Sequence, residues 1–296
     1  LSTCPALCND QHLLFTPHLL PHSLKQISFT QICGEIGSMT WQFNSFAQTD
    51  LGLVREGNED SALISQNLIA IADGMGGHAG GEVASAIAIN ALAELISVLD
   101  SKDIDADSKD DLFVNITHQI DAKILQSSKD DPELSGMGTT LTALNISGNN
   151  VGLLHIGDSR CYRYRDKKLE QLSIDHTVMQ ELLDQGRLTA DEVASHPQRS
   201  LLTQALMGDS GITPILINFQ IKKGDKYLLC SDGLTNVLSN YEITKIIEAN
   251  SDEQVVPALI TEVKQKGAPD NITIIWAQAS ESGKKVDLMK IGAANE

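Results

Sequence analysis

The chain has 296 residues, enough for one large domain or two small ones, and 42% of them are hydrophobic. It carries 39 acidic residues against 22 basic ones, which gives a formal net charge of −17. Such a surface repels nucleic acids and anionic membranes, so neither is expected as a principal partner. Only 4% of the residues are aromatic, so the core must be built mainly from aliphatic side chains.

Residues 1–38 differ from the rest of the chain, because they carry only three charges and show no persistent helix or strand period. We expect this segment to be a disordered or non-native extension, with the folded domain beginning near Met39. Its Cys and His residues match no compact zinc-ligand spacing, so no zinc site is predicted there. Beyond this segment only Cys161 and Cys230 remain. Two cysteines form no disulfide framework, which favours a reducing, cytoplasmic location.

From Thr40 onward strand and helix signals alternate without a detectable repeat. Residues 63–65 and 68–72 are short β-like runs separated by two polar residues, which predicts a hairpin. Residues 80–99 carry apolar side chains over one wide face, which predicts a helix lying on a sheet. A second helix is predicted over residues 109–127. Polar residues interrupt even the first of these helices, so no membrane span is predicted.

The rest of the chain contains more strands than helices. Strands are predicted over residues 139–146, 151–156, 161–165, 168–172, 215–221, 227–230 and 272–277. Helices are predicted over residues 177–186, 189–195, 241–249 and 253–266. Residues 281–296 have no clear pattern and are expected to form a polar C-terminal tail. Because the strands mostly follow one another directly and the long helices come in pairs, the pattern favours an antiparallel α+β sandwich over a βαβ fold.

Acidic residues stand at the ends of several strand-like runs. Asp73, Asp158 and Asp232 each follow a predicted strand, and Asp270 precedes one. A carboxylate at the end of a buried strand is partly desolvated, and several that converge repel one another. Hard divalent cations relieve both effects, because Mg²⁺ and Mn²⁺ prefer oxygen ligands. A single Asp-Gly pair is most often an ordinary turn, but the joint occurrence of these acids predicts a metal site.

Eight short motifs follow one another between residues 47 and 277. They are residues 55–60 (REGNED), 73–85 (DGMGGHAGGEVAS), 136–140 (GMGTT), 157–160 (GDSR), 175–176 (DH), 196–197 (HP), 231–234 (SDGL) and 270–273 (DNIT). In this ordered set the chain resembles the type-2C, metal-dependent protein phosphatase (PPM) family, and its bacterial branch in particular. The resemblance covers nearly all of the apparent domain.

The resemblance implies a four-layer α-β-β-α sandwich, in which two mainly antiparallel sheets are flanked by helix pairs. It implies one catalytic domain over residues 39–280, with the metal site at one edge of the sandwich. Residues 177–207 would correspond to the family's flap, a variable segment beside the active site. Such a segment often shapes substrate access.

The resemblance also implies the site residues, carried over position by position. Two Mg²⁺ or Mn²⁺ ions are expected, with a third in bacterial members. The expected metal ligands are Glu59, Asp60 (through metal-bound water), Asp73 (bridging), Gly74 (through its carbonyl), Asp158 (third ion), Asp232 and Asp270. Arg55 would bind the substrate phosphate, because a guanidinium offers paired donors that a lysine lacks.

The implied reaction is hydrolysis of phosphoserine or phosphothreonine by direct attack of a metal-bridging hydroxide, without a covalent enzyme intermediate. His176 matches a family position and is a candidate proton donor to the leaving oxygen, with a metal-bound water as an equal alternative. His78 is not assigned this role, because Met75 occupies the position directly after the Asp-Gly pair. His155, inside a predicted strand, is expected to be a core histidine. One departure is Pro269 before Asp270, which restricts the approach to that ligand.

Two other functions fit the sequence less well. Residues 74–79 formally match a dinucleotide-binding G-x-G-x-x-A loop, but Asp73 would place a negative charge beside the pyrophosphate. The acidic residue expected at the end of a second parallel strand is also missing. A catalytically silent phosphoprotein-binding regulator is the alternative from a different class, yet every expected metal ligand is present. The expected partners are phosphoproteins and a cognate Ser/Thr kinase, and a monomer is expected.

Overall fold

The computed structural model describes residues 40–296 except residues 78, 102, 190, 191, 193–195, 197, 199, 210, 283–285 and 296. Residues 38–296 form one compact unit. The predicted N-terminal extension, His78 and Pro197 lie outside the described residues. So does most of the helix predicted over residues 189–195.

The described elements are labelled in chain order. The strands are β1 (Thr40–Asp50), β2 (Asp60–Ile64), β3 (Leu68–Met75), β4 (Gly138–Thr139), β5 (Leu141–Ser147), β6 (Asn150–Ile156), β7 (Arg160–Arg165), β8 (Lys168–Gln171), β9 (Ile215–Gln220), β10 (Lys226–Cys230), β11 (Ile272–Ser282) and β12 (Met289–Gly292). The helices are α1 (Gly80–Leu99), α2 (Ala106–Asp130), α3 (Val178–Asp184), α4 (Asp232–Thr235), α5 (Asn240–Ala249) and α6 (Asp252–Gln265). Short 3₁₀ turns cover Pro132–Leu134 and Ala293–Asn295.

Among the described residues the strands form two antiparallel sheets. The five-stranded sheet has the order β1-β11-β10-β7-β8, and the seven-stranded sheet has the order β12-β2-β3-β5-β6-β9 with β4 beside β3. The hairpin predicted from residues 63–72 is confirmed, since β2 pairs with β3 in antiparallel register. In that register Asp60 lies opposite Asp73.

Central strands such as β3 have an almost continuous apolar sequence because both of their faces are covered. Along β3, Ile69 and Ile71 point into the core between the two sheets. The alternate residues Leu68, Ala70 and Ala72 point into the core beneath α1 and α2. A strand buried on both faces loses the polar–apolar alternation of a half-exposed strand.

A third core lies on the other side of the five-stranded sheet. Ile274 and Trp276 of β11 pack there against helical residues such as Ile243 of α5 and Leu259 of α6. The order of layers is therefore helices, sheet, sheet, helices. The predicted four-layer sandwich is confirmed.

Helix α1 is long and apolar enough to cross a membrane by length and composition alone. Its Ala84, Ala88 and Leu92 side chains are fully or almost fully buried in the core against the seven-stranded sheet. Packing against the sheet therefore accounts for its apolar composition, as the wide stripe in the sequence predicted.

The prediction of a polar tail over residues 281–296 needs correction. Strand β11 continues to Ser282, and β12 pairs in antiparallel register with β2 from Met289 opposite Ile64 to Gly292 opposite Ser61. A four-residue strand that contains Lys290 and a glycine is too short to show a recognisable period.

Candidate active site

Five aspartates come together because the strand ends that carry them meet at one cavity. Asp60 opens β2 opposite Asp73 on β3, Asp158 follows β6, Asp232 follows β10, and Asp270 precedes β11. A cavity of about 320 Å³ lies at this point. Seven of the nine predicted site residues line it: Arg55, Glu59, Asp73, Gly74, Asp158, Asp232 and Asp270.

Asp60 lies beside this cavity and is only 1% exposed. Its Oδ2 accepts a hydrogen bond from Ser231 Oγ at 2.8 Å, whereas Oδ1 has no partner among the described residues. Burial raises the pKa of Asp60 to about 7, and the charge of Asp232 adds to the rise. A buried carboxylate oxygen without a partner is costly. A cation or a cation-bound water is the kind of partner that would remove this cost.

Asp73 is fixed through its backbone. Its N–H donates to Thr140 Oγ1 at 3.0 Å, and its carbonyl accepts from the Thr140 N–H at 2.9 Å. At the next residue, Gly74, an added Cβ would lie 2.1 Å from the carbonyl oxygen of Gly81 in α1. Only glycine allows this close approach. Burial raises the pKa of the Asp73 carboxyl well above its usual range, and the charge of Asp60 raises it further.

Glu59 is positioned by the side chain of Asn271. Asn271 Oδ1 accepts the Glu59 N–H at 2.9 Å, and its Nδ2 donates to the carbonyls of Leu51 and Gly57, each at 3.0 Å. One amide group thus ties the loop before β2 to the start of β11. Burial raises the pKa of Glu59, although the charge of Arg55 opposes the rise.

Asp158 lies on a turn that requires glycine. Gly157 has a φ of 107°, and an added Cβ there would lie 2.6 Å from the Thr140 side chain. Thr140 also holds the backbone of Asp73, so one threonine packs against both turns. Burial raises the pKa of Asp158 to about 8.

Arg55 contacts a predicted metal ligand. Its Nη2 donates to Asp270 Oδ2 at 2.7 Å, and the two side chains are 49% and 31% exposed. This hydrogen bond raises the pKa of Arg55. Asp232 accepts a hydrogen bond from Asn236 Nδ2 at 2.8 Å. Burial raises the pKa of Asp232 to about 6, and the charge of Asp270 contributes.

The donor chemistry fits a hard divalent cation. The predicted ligands are carboxylate oxygens and one carbonyl, the donors that Mg²⁺ and Mn²⁺ prefer, and Asp60 Oδ1 is without a partner. Within the part of the chain that the structure describes, however, no three His, Cys, Asp or Glu side chains are arranged so that they could hold a metal ion. The contacts of Asp270 with Arg55 and of Asp232 with Asn236 give a physical reason. Cation binding by Asp232 or Asp270 would compete with these contacts.

His176 does not line this cavity. Its Nδ1 accepts the Gly157 N–H at 3.0 Å, and its ring stacks on His155 with the centroids 5.1 Å apart. Burial lowers the pKa of His176, and protonation of Nδ1 would break the bond that it accepts. Because His176 does not line the cavity that holds the acids and its Nδ1 binds the backbone before Asp158, the geometry favours a role in positioning this turn over the predicted proton donation. His155 is 1% exposed, in agreement with the expected core role.

The residue before Pro269 lies just after the end of helix α6, where its N–H donates to the carbonyl of Val263. Ala268 adopts a φ of 34°, in the left-handed region that costs a non-glycine residue about 1–2 kcal/mol. Its carbonyl accepts the Leu53 N–H at 2.9 Å. Asp270 nevertheless lines the cavity with the other acids.

Several residues that orient the acids were not predicted from the sequence. They are Thr140, Ser231, Asn236 and Asn271, and nearby Arg160 and Asp175 form an ion pair that was also not predicted. All but Asn236 lie within the recognised motifs, so membership of a motif was the available signal. The best defined of these contacts is a bidentate pair, in which Arg160 Nε and Nη2 donate to the Asp175 carboxylate at 2.9 and 2.6 Å.

Comparison with known proteins decides the family. The family model described as protein phosphatase 2C matches residues 57–263. The chain belongs to the protein phosphatase 2C family. The suspected family and the predicted fold class are thereby confirmed, and the matched residues include all nine predicted site residues except Arg55 and Asp270.

Named bacterial proteins resemble this protein phosphatase 2C chain. PstP, a serine/threonine protein phosphatase of Mycobacterium tuberculosis, is 44% identical over 234 residues, which cover 78% of this chain and 44% of PstP. The serine/threonine phosphatase stp of Listeria monocytogenes is 31% identical over 252 residues, which cover 81% of this chain and 97% of stp. A crystal structure of the PstP catalytic domain with two manganese ions matches with a TM-score of 0.73 and 40% identity, over 81% of this chain and 99% of that one. The chain thus spans less than half the length of PstP.

Proposed function

We propose that this protein is a metal-dependent protein phosphatase that hydrolyses phosphoserine and phosphothreonine in proteins. The observation that carries the proposal is the cavity in which Arg55 stands among Glu59, Asp73, Asp158, Asp232 and Asp270. An arginine beside clustered carboxylates suits a phosphate ester that is bound together with divalent cations. Membership of the protein phosphatase 2C family supports the same reaction, and the manganese in the PstP structure supports the same kind of metal.

When bound, Mg²⁺ or Mn²⁺ would supply the positive charge that activates water and stabilises the charge developing on the phosphoryl oxygens. We propose that Asp73, Gly74, Glu59, Asp232 and Asp270 would hold these ions. Asp158 would hold a third ion with Asp232. Asp60 would orient bound water through its Oδ1, which has no partner among the described residues.

Arg55 would bind the substrate phosphate through paired guanidinium donors. It is 49% exposed and lines the cavity, so it can turn from Asp270 toward a phosphate. This movement would also release the Asp270 carboxylate for a cation. Substrate binding and metal binding would therefore favour each other at this residue.

We propose that a water molecule, rather than His176, protonates the leaving serine or threonine oxygen. The support is geometric, because His176 does not line the cavity that holds the acids and its Nδ1 accepts the Gly157 N–H. His176 would act as a positioning residue for the turn that carries Asp158.

Phosphoproteins are the proposed substrates, with a cognate Ser/Thr kinase as the partner that phosphorylates them. We also propose that the protein acts as a monomer in the cytoplasm. The net charge of −17 and the two free, buried cysteines Cys161 and Cys230 support such a setting. A binding-only regulator remains the second candidate, but the retained carboxylates favour catalysis.

The test is phosphate release from a phosphothreonine peptide by the full chain and by Asp232→Ala, with Mn²⁺, Mg²⁺ or EDTA. We expect release that requires metal and is abolished both by EDTA and by the substitution. If folded, metal-loaded protein released no phosphate from several phosphopeptides but still bound them, the binding-only function would replace the phosphatase.

A further inference from the structure

A second cavity, of about 680 Å³, opens beside the first and is about twice its size. We call it the α3–α5 groove. One wall is formed by Thr177, Gln180 and Leu183 at helix α3, and the other by Asn236, Asn240 and Tyr241 at helices α4 and α5. A phosphate group alone fills only a small part of such a volume.

The groove is continuous with the proposed catalytic cavity. Asp158, Ser200, Asp232 and Asn236 line both spaces. A phosphoryl group that lies over the acids is attached to a serine or threonine whose neighbours must leave the cavity. The α3–α5 groove is a path that begins at the same residues.

The wall at α5 is held by a capping box. Ser239 Oγ accepts the Glu242 N–H, and Glu242 Oε2 accepts the Ser239 N–H at 2.8 Å. Tyr241 lies in this capped turn and is 70% exposed. Lys245 Nζ lies over the Tyr241 ring at 5.5 Å from the centroid. A large aromatic surface is thus fixed at the edge of the groove.

The wall at α3 is also fixed. Thr177 Oγ1 caps the helix by accepting the Gln180 N–H at 3.1 Å. Just before it, Asp175 is 8% exposed and is held by Arg160. Because both walls are preformed, a ligand would lose little free energy in ordering them.

Away from the catalytic acids, the lining is uncharged and rich in hydrogen-bonding groups. Hydroxyl and amide side chains predominate there: Thr177, Gln180, Thr235, Ser239 and Asn240. Arg160 and Asp175 also line the groove but neutralise each other as an ion pair. Thr177 and Ser239 already cap helices, and Gln180 Nε2 donates to Asp184. Thr235 and Asn240 therefore best suit the N–H and C=O groups of an extended peptide, and an exposed aromatic ring suits a side chain of that peptide.

We propose that the α3–α5 groove binds the polypeptide segment that flanks the phosphorylated residue, and that Tyr241 is a specificity-determining residue that contacts this segment. The proposal rests on the proposed phosphatase function. Its consequence is a division of labour between the two cavities. The acids act on any phosphate ester, whereas the groove recognises only a substrate that carries a peptide.

The test compares two substrates in the presence of Mn²⁺, a phosphothreonine peptide long enough to fill the groove and p-nitrophenyl phosphate. For Tyr241→Ala we expect the KM for the peptide to rise about tenfold, equivalent to about 1.4 kcal/mol. The kcat/KM for p-nitrophenyl phosphate should not change. Tyr241→Phe, which keeps the ring, should restore the peptide KM. Leu288→Ala removes another exposed apolar side chain, 45% exposed and outside the groove lining, and should affect neither substrate.

Equal losses on both substrates, or no loss on the peptide, would overturn the role of Tyr241. If the wild-type protein hydrolysed neither substrate, the phosphatase proposal would fail while the groove could still be tested by binding. Fluorescence anisotropy with the same labelled phosphopeptide would then decide. A Kd about tenfold weaker for Tyr241→Ala than for Tyr241→Phe would support the groove, and equal Kd values would overturn it.

Discussion

The two ends of β10 hold buried aspartates in opposite electrostatic environments. Asp225, just before the strand, is 0% exposed, and Arg165 donates to both of its oxygens at 2.5 Å. Burial alone would raise the pKa of Asp225, but the bonds from Arg165 outweigh it and the pKa is lowered. Asp232, just after the strand, accepts from an uncharged amide. Burial and the charge of Asp270 raise its pKa to about 6.

This difference separates a carboxylate that stabilises the fold from one that we propose binds a ligand. Asp225 is compensated by a cation of its own chain, so its charge is stabilised in the folded protein. Burial, together with the charges of neighbouring carboxylates, raises the pKa values of Asp60, Asp158 and Asp232, and no cation among the described residues offsets the rise in full. Such a cluster lowers stability until a ligand brings the missing charge, as is common at functional sites.

Asp73→Asn should give the largest effect. We expect kcat/KM for a phosphopeptide to fall by at least about 10³-fold, or about 4 kcal/mol of barrier, because the central carboxylate is lost. In EDTA the variant should unfold at the same or a higher temperature than the wild type, since an amide carries no charge to desolvate. Steady-state kinetics and thermal unfolding check the two halves. If the variant were inactive because it unfolds at a lower temperature than the wild type, Asp73 would be a structural carboxylate like Asp225.

Asp225→Asn should give the opposite pattern. It leaves Arg165 without its carboxylate, and we expect the free energy of unfolding to fall by about 2–3 kcal/mol. This is below the about 3–5 kcal/mol typical of a broken, fully buried pair, because Arg165 is 22% exposed. Urea denaturation measures the loss. The kcat/KM of the folded variant should match the wild type, and a large catalytic defect would contradict a purely structural role.

The metal-free protein should become less stable as the pH rises between about 4 and about 8. The pKa values of Asp60, about 7, and Asp158, about 8, lie above the ordinary carboxyl value of about 3.9. Between these values the four aspartates with raised pKa values, Asp60, Asp73, Asp158 and Asp232, bind more protons in the folded state than in the unfolded state. They outnumber His155 and His176, whose lowered pKa values act in the opposite direction, so the free energy of unfolding falls with rising pH. Calorimetry from pH 5 to pH 8 in EDTA should show a falling Tm, and saturating Mn²⁺ should reduce the slope.

The matched control for this pH effect is the double variant Asp60→Asn, Asp158→Asn. It removes two of the carboxyl groups with raised pKa values, so its Tm in EDTA should depend less on pH. A wild-type slope that persists unchanged in the double variant would show that other groups cause it.

Arg55→Ala should change stability least. The pair with Asp270 is 49% and 31% exposed, so solvent screens it, and we expect a change below about 1 kcal/mol in the free energy of unfolding. Arg165→Ala is the matched control and should cost more, because it leaves buried Asp225 uncompensated. The KM for a phosphopeptide should rise in Arg55→Ala but not in Arg165→Ala. Similar losses of stability in the two variants would contradict the proposed difference between the aspartates at the two ends of β10.

Long periodic elements could be predicted from the sequence, and short ones could not. The helix predicted over residues 80–99 has the observed bounds of α1, because its apolar stripe is wide and begins directly after a glycine-rich turn. Helix α2 begins three residues before the prediction, where Asp105 caps it by accepting the Ser108 N–H at 2.9 Å. Helix α4 and strand β12 have four residues each, too few for any period to emerge.

The position of the acids could be predicted, but their partners could not. Strand ends placed Asp73, Asp158, Asp232 and Asp270 correctly around one cavity. The contact between Asn271 and Glu59 joins residues 212 positions apart, and no local pattern encodes it. For His176 the motif gave the position, but only the structure shows that Nδ1 is engaged with the backbone.

Strand β12 and the turn after it contact the strand that carries Asp60. An added Cβ at Gly292 would lie 2.0 Å from the carbonyl oxygen of Asp60, and the Ala294 N–H donates to Ser61 Oγ at 3.0 Å. A recombinant protein that stopped at residue 280 would lack β12. The N–H and C=O groups along that edge of β2 would then be unpaired and could pair with other chains. We expect such a protein to aggregate and to hold Asp60 less rigidly. Expression boundaries and C-terminal tags should therefore be chosen to leave residues 289–295 undisturbed.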